Sequence, residues 1–128
     1  MTHRTDIQVR FNDTDALGHL NNTSYALYAE LSRIQFLHDL GANVTSLILA
    51  HLSLDFRKQV KFGEEVFIST WVEKLGSSSV TLAQEVVSEG EVAAEIKSVV
   101  VHFDYKAQKA KPLSDEVRAV LTNYVKAS

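Results

Sequence analysis

The chain has 128 residues, 45% hydrophobic and 23% charged, and 13 Lys and Arg against 16 Asp and Glu leave a net charge of −3. A chain of this size can bury roughly two-thirds of the surface its unfolded form exposes, and one proline with five glycines excludes a collagen-like or low-complexity chain. The absence of cysteine excludes disulfides, thiolate metal sites and a cysteine nucleophile, and a slightly acidic balance with no basic run longer than Arg57-Lys58 removes the electrostatic case for nucleic acid.

Met1 to Asp6 lacks the apolar run of a signal peptide, and no stretch approaches the ~18 apolar residues of a membrane span. The expectation is a single cytoplasmic domain over residues 1–128 with no membrane partner. Ile7-Gln8-Val9-Arg10-Phe11 alternates apolar and polar side chains, the period of a half-buried strand. Asn12 to Asn21 follows as a polar loop. From Thr23 to about Leu40 the spacing becomes helical, with Leu27, Leu31 and Ile34 joined by Tyr28 and by Leu37 or His38 as the stripe to be buried. Asn21 or Asn22 is placed to cap this helix, and Gly41 to end it.

Beyond Gly41 the pattern is strand-like. Ile48, Ala50, Leu52, Leu54 and Phe56 alternate with polar residues, and Gly63-Glu64-Glu65 interrupts the run. Val66 to Leu75, Ser79 to Ser88 and Val92 to Phe103 are three more strands, split by turns at Gly76-Ser77-Ser78 and Glu89-Gly90. Short connections predict an antiparallel meander, with Val92 to Phe103 as an edge available for pairing with a second copy. Lys106 to Lys111 reads as a basic linker ending at Pro112, and Ser114 as the cap of a short, weakly docked helix through Val117, Val120, Leu121 and Tyr124. The predicted class is α+β: a long helix wrapped by a curved five-stranded antiparallel sheet. One helix cannot cover every face and edge of such a sheet, so a dimer is expected.

The glycine-rich nucleotide loops, the Gly-x-Ser-x-Gly elbow and His-Glu-x-x-His are all missing. Asp13-Thr14-Asp15-Ala16-Leu17-Gly18 begins like a calcium loop, but Leu17 replaces an oxygen ligand and Ser24 stands where a bidentate Glu belongs. The remaining chemistry is the loop itself, with Asp13, Asp15, Gly18, His19, Asn21 and Asn22 gathered at the start of the helix. Unpaired N–H groups at a helix N-terminus can polarise a carbonyl oxygen, and a carboxylate beside them can attack it or activate water. The competing reading is that these aspartates and asparagines only cap turns and the helix.

The run Arg10-Phe11-Asn12-Asp13-Thr14-Asp15-Ala16-Leu17-Gly18-His19-Leu20-Asn21-Asn22-Thr23-Ser24-Tyr25, followed by Tyr28, Glu30 and Arg33, resembles the signature of the hotdog-fold thioesterases of the 4-hydroxybenzoyl-CoA thioesterase type. The Gly63-Glu64 turn, the Leu75 to Ser79 hairpin and Pro112-Leu113 extend the likeness along nearly the whole chain. The resemblance implies a hotdog fold, a homodimer with continuous sheets that can pair into a dimer of dimers, and hydrolysis of acyl-CoA without metal or bound cofactor. It places the catalytic carboxylate at Asp15, as nucleophile or general base, and the polarising backbone N–H at Asn22. Ionised at neutral pH, an ordinary Asp is competent for either role.

His19 is read chiefly as a brace for the loop, and otherwise as a group that orients Asp15 or water. Asp13 is read as fixing the loop, Gly18 and Asn21 as bordering the substrate, and Tyr25 as lining the acyl channel or core. Ser77, Ser78 and Ser79 match the region where relatives approach pantetheine from the partner subunit, although a basic cluster found in the 4-hydroxybenzoyl-specific enzyme is replaced here by serines and Lys74. Arg57, Lys58 and Lys61 are the alternative source of charge for the CoA phosphates, against a reading as solvated strand-end residues. Glu30 and Arg33 are expected to pair with each other or across the dimer. Two rivals to acyl-CoA hydrolysis are weighed: hydrolysis of acyl groups on an acyl carrier protein, and a non-catalytic acyl-CoA-binding module, which the retained Asp15 disfavours.

Overall fold

The computed structural model describes residues 1–42 and 46–126. The chain forms strand β1 (His3–Ile7), a 3-10 turn (Phe11–Asp13), helix α1 (Asn22–Asp39), strands β2 (Leu47–Phe56), β3 (Val66–Leu75), β4 (Ser79–Ser88), β5 (Glu91–Asp104) and β6 (Lys109–Ala110), and helix α2 (Asp115–Thr122). The five longer strands make one antiparallel sheet in the order β1-β3-β4-β5-β2. The meander therefore holds for β3, β4 and β5 alone. β2 crosses to the far side and pairs with β5, Leu54 opposite Ile96, so β5 is an interior strand and the open edges are β1 and β2. The edge assigned to Val92–Phe103 is corrected to β2. A strand as long as β5 can satisfy two neighbours, and strand length does not reveal which it takes.

The first strand also lies earlier than the alternation of Ile7 to Phe11 suggested. β1 ends at Ile7, because Phe11–Asp13 turn into a 3-10 helix held by Asp13 N–H to Arg10 C=O at 2.9 Å and by Arg10 N–H to the Asp13 carboxylate at 3.0 Å. A polar side chain competing for nearby backbone groups ends the strand there. The expected linker over Lys106–Lys111 is instead a hairpin: Phe103 pairs with Ala110 and Asp104 with Lys109, closed by the Asp104 side chain accepting from Lys106 and Ala107 N–H. Helix α2 is firmly docked. Leu121 is fully buried, Tyr124 meets Phe36 edge-on, and Val72 exchanges backbone hydrogen bonds with Tyr124 and Lys126.

Helix α1 begins where Asn21 accepts from Thr23 N–H, and it ends at Gly41, whose φ of +78° suits the residue without a Cβ. The stripe it buries is the expected one only at Tyr28 and Leu37. Leu27, Leu31 and Ile34 are exposed, whereas Tyr25, Tyr28, Ala29, Ser32, Phe36 and Leu37 face the sheet. The small Ala29 and Ser32 let the helix approach the strands closely enough for the Gln84 side-chain amide to donate to Ala29 C=O at 3.1 Å. On one side of this polar band, Tyr25, Tyr28, Ile68, Val86 and Ile96 form a cluster beneath the start of the helix. On the other, Phe36, Leu37, Val72, Leu82 and Leu121 form a second beneath its end. In β2 the alternation breaks at a bulge between Leu49 and His51, where Leu49, Ala50 and His51 are all exposed. Among the described residues, no helix is long and apolar enough to cross a membrane.

Candidate active site

The loop between the 3-10 turn and α1 is held at both ends. The Asp13 carboxylate, buried with 5% exposure, accepts from the Tyr28 hydroxyl at 2.6 Å, and Asp13 C=O accepts from Asn21 N–H at 2.9 Å and Ser24 Oγ at 2.8 Å. The Tyr28 hydrogen bond is the main reason the Asp13 carboxyl titrates below the ordinary carboxylate range, while burial and the carboxylate push the Tyr28 phenol well above its own. Both ends of the loop are thereby tied to the body of α1.

Within this frame Asp15 is exposed and folds back on its own loop. Its Oδ1 accepts from Leu17 N–H at 2.8 Å and His19 N–H at 3.1 Å, and its backbone N–H donates to His19 C=O at 2.7 Å. These two amides, Leu17 first, hold its carboxyl below the usual carboxylate range and keep it ionised at neutral pH. Oδ2 accepts no hydrogen bond among the described residues and is free to face a substrate. The reversal needs Gly18, with φ of +79°, whose C=O accepts from Phe62 N–H at 3.0 Å. His19 bridges by its backbone to Lys61.

A cavity of about 360 Å³ lies in front of Asp15, walled by His19, Asn22, Tyr25, Phe56, Arg57 and Lys58. Asn22 is the first residue of α1, and the Asn21 side chain takes Thr23 N–H, which leaves Asn22 N–H at the helix start without a partner among the described residues. A carboxylate and the positive end of a helix thus face one cavity, the arrangement needed to attack a carbonyl while drawing charge onto its oxygen.

Of the residues singled out in the sequence, the structure brings Asp15, His19, Asn22, Tyr25, Arg57 and Lys58 to this cavity. Gly18 and Asn21 shape the loop and cap the helix without lining it. Lys61 lies beside His19 but outside the wall. Ser77, Ser78 and Ser79 sit on the β3–β4 hairpin, held by Leu113 N–H and the Arg118 guanidinium on Ser77 C=O and by His102 N–H on Ser78 C=O. They are not part of the wall within one chain. Arg57 is engaged by Glu95 at 2.5 Å and Lys58 by Glu91 at 3.5 Å, both on β5. Phe56 was missed as a wall residue. It packs edge-on against Tyr25 at 5.1 Å, a contact across the finished fold that the alternation of β2 does not reveal.

Comparison with known proteins bears on the family and the fold. Residues 9–121 match the family described as the thioesterase-like superfamily. The chain is 27% identical over 131 residues to the long-chain acyl-CoA thioesterase FadM of Escherichia coli, covering 96% of this chain and 99% of that one. It superposes on a predicted thioesterase from Bacillus stearothermophilus with a TM-score of 0.92 at 26% identity, covering 100% and 99% of the two chains. A thioesterase from Thermus thermophilus, solved with coenzyme A and Zn, is similar at a TM-score of 0.87 and 29% identity over 94% and 92%. With the sequence match spanning both the Asp13 to Asn22 loop and the sheet, this chain belongs to the thioesterase-like superfamily and has its hotdog fold.

Proposed function

We propose that this enzyme hydrolyses acyl-CoA thioesters to the free acid and CoA, with Asp15 supplying the carboxylate. The observation that carries the reading is the single cavity onto which both Asp15 and the N-terminus of α1 open. The thioester carbonyl oxygen sits at Asn22 N–H, which stabilises the charge that develops when the carbonyl carbon is attacked. Asp15 Oδ2 either attacks that carbon, expelling the CoA thiolate and leaving an anhydride for water to open, or takes a proton from the attacking water. The Leu17 and His19 amides hold Oδ1 and so point Oδ2 outward in both routes. His19 acts through this bracing. Tyr25 and Phe56 form an apolar wall for the start of the acyl group.

The likeness to FadM supports an acyl-CoA substrate over an acyl group held on a carrier protein, and the ionised Asp15 supports turnover over simple binding. Arg57 and Lys58 stand at the mouth of the cavity for the CoA phosphates, their exposed pairs with Glu95 and Glu91 being weak enough to exchange. We place a second copy on the open β2 edge as a homodimer, which brings the partner's Ser77, Ser78 and Ser79 toward the pantetheine. The outward stripe of Leu27, Leu31 and Ile34 is available for a dimer of dimers.

The test is free-CoA release from short, medium, long and aromatic acyl-CoAs, with Asp15→Asn beside the wild type. Loss of ~10²-fold or more in kcat with substrate binding kept is expected. An Asp15→Asn protein with wild-type turnover refutes the site, and a wild type that binds acyl-CoA without releasing CoA refutes the enzyme.

A further inference from the structure

Arg33 lies in the middle of α1 with 7% exposure, and among the described residues none accepts a hydrogen bond from it or stands within ion-pair distance. It borders a cavity of about 210 Å³ between α1 and β2, shared with Glu30, Leu37, Leu47, Leu49 and Val100. Glu30, three residues earlier, is exposed and forms no ion pair with it inside the chain. Desolvating a guanidinium is costly without a hydrogen-bonded anion, so an unpaired one facing a cavity marks a place where an anion arrives. Glu30 beside it makes the cavity close to neutral, which disfavours a free anionic ligand. An acid brought by a second protein surface fits better.

The elements around the cavity indicate which surface that is. β2 forms an edge of the sheet, with Leu49 43% and Phe56 49% exposed. A two-fold contact sends residue i of one copy onto j of the other and j onto i. Leu37 and Leu47 share this cavity, whereas Asn22 and Phe56 share the catalytic one, so α1 runs antiparallel to β2 along its flank. A two-fold axis through the middle of β2, between His51 and Leu52, therefore lies level with the middle of α1. Two antiparallel copies of α1 place Glu30 opposite Arg33 when the axis passes between Leu31 and Ser32. That is one residue, about 1.5 Å of rise, from the midpoint of the helix. The open edge and the unpaired arginine thus call for the same axis.

We propose that a second copy of this chain docks on the β2 edge in a register set by two reciprocal ion pairs, Arg33 with Glu30 of the partner subunit and Glu30 with Arg33 of the partner subunit. The inference rests on the dimeric assembly proposed above and adds the charges that select its register. The same axis carries the partner's Leu47 beside Phe56, so the wall of the catalytic cavity is completed by docking.

The test measures dimer dissociation by sedimentation velocity, with CoA release alongside, for the wild type, Glu30→Arg, Arg33→Glu, the double swap Glu30→Arg/Arg33→Glu, and Glu30→Gln. Each single reversal sets like charges against each other twice and is expected to weaken the dimer by 10²-fold or more. The double swap is expected to return it to within about 10-fold of wild type. Glu30→Gln, exposed in the protomer and so without effect on its folding, is expected to weaken the dimer about 10-fold, and it decides the matter should Arg33→Glu not fold. Single variants that dimerise like wild type, or a double swap no tighter than either single, overturn the pairing while leaving the dimer standing. A wild type that stays monomeric at all concentrations overturns the assembly itself.

Discussion

The hydrogen bond from Tyr28 to Asp13 ties the loop of the proposed site to α1, and Tyr28→Phe removes it without changing the shape of the core. Tyr28 is 2% exposed and Asp13 5%, and the hydroxyl lies 2.6 Å from Oδ2. Hydrogen bonds to a charged acceptor are worth about 1.5–3 kcal/mol. The lower half of that range is expected, because Arg10 N–H at 3.0 Å and Arg10 Nε at 3.7 Å still serve the same oxygen. With an unfolding entropy of about 2.1 cal/mol/K per residue, a chain of 128 residues loses about 6–11 °C of Tm over the full range. The effect also has a pH signature. Asp13 titrates lower in the folded chain than in the unfolded one, so its contribution is complete above the unfolded value of ~3.9 and is lost as pH falls through the folded value. Tyr28 is the largest cause of that lowering, so the gap between wild type and Tyr28→Phe should be widest at neutral pH and narrow progressively as pH falls below about 4. Thermal unfolding followed by circular dichroism at pH 7.5 and 3.5 measures both. A Tm loss under about 2 °C at pH 7.5, or a gap that does not narrow in acid, refutes the account.

Two further substitutions probe the frame around the site. Asn21→Ala removes the side-chain acceptor of Thr23 N–H, which should cost about 1 kcal/mol in urea unfolding and, by loosening the first turn beside Asn22, lower kcat more than it changes KM. Leu82→Ala opens a cavity beneath the end of α1, where Leu82 is fully buried, and should cost about 2–5 kcal/mol by the same assay; a loss under 1 kcal/mol contradicts the packing described.

The strands and turns were legible where local chemistry decides them. β3 and β4 fall on the residues the alternation predicts, because Gly76 and Glu89-Gly90 break the pattern between apolar runs facing one side. The loop of the proposed site was legible as a loop for a similar reason, since Asp15 holds it through bonds to Leu17 and His19 that span only a few residues. Strand order was not, because the pairing of β2 with β5 joins segments some forty residues apart and nothing in either strand names its neighbour. Phe56 and the Tyr28 to Asp13 bond were invisible for the same cause: each depends on contacts brought about by the finished fold.

Helix α1 was legible as a helix, and of its expected stripe Tyr28 and Leu37 are buried whereas Leu27, Leu31 and Ile34 are not. It carries two apolar stripes, Leu27, Leu31 and Ile34 on one side and Tyr25, Tyr28, Ala29, Phe36 and Leu37 on the other, and spacing alone scores the aliphatic stripe as the stronger. The sheet takes the other, because its larger aromatic rings reach into two clusters on either side of Ala29 and Ser32, and because Tyr28 finds Asp13 for its hydroxyl. The buried face therefore includes Ser32 and Arg33, and the exposed face keeps three large aliphatic residues. Both departures from a simple inside-outside pattern fall on the parts of α1 that the proposed assembly would cover. A sequence shaped only to fold alone would be expected to place Arg33 outside and Leu31 inside; the reversal of both is what a helix selected to meet a second copy of itself should show.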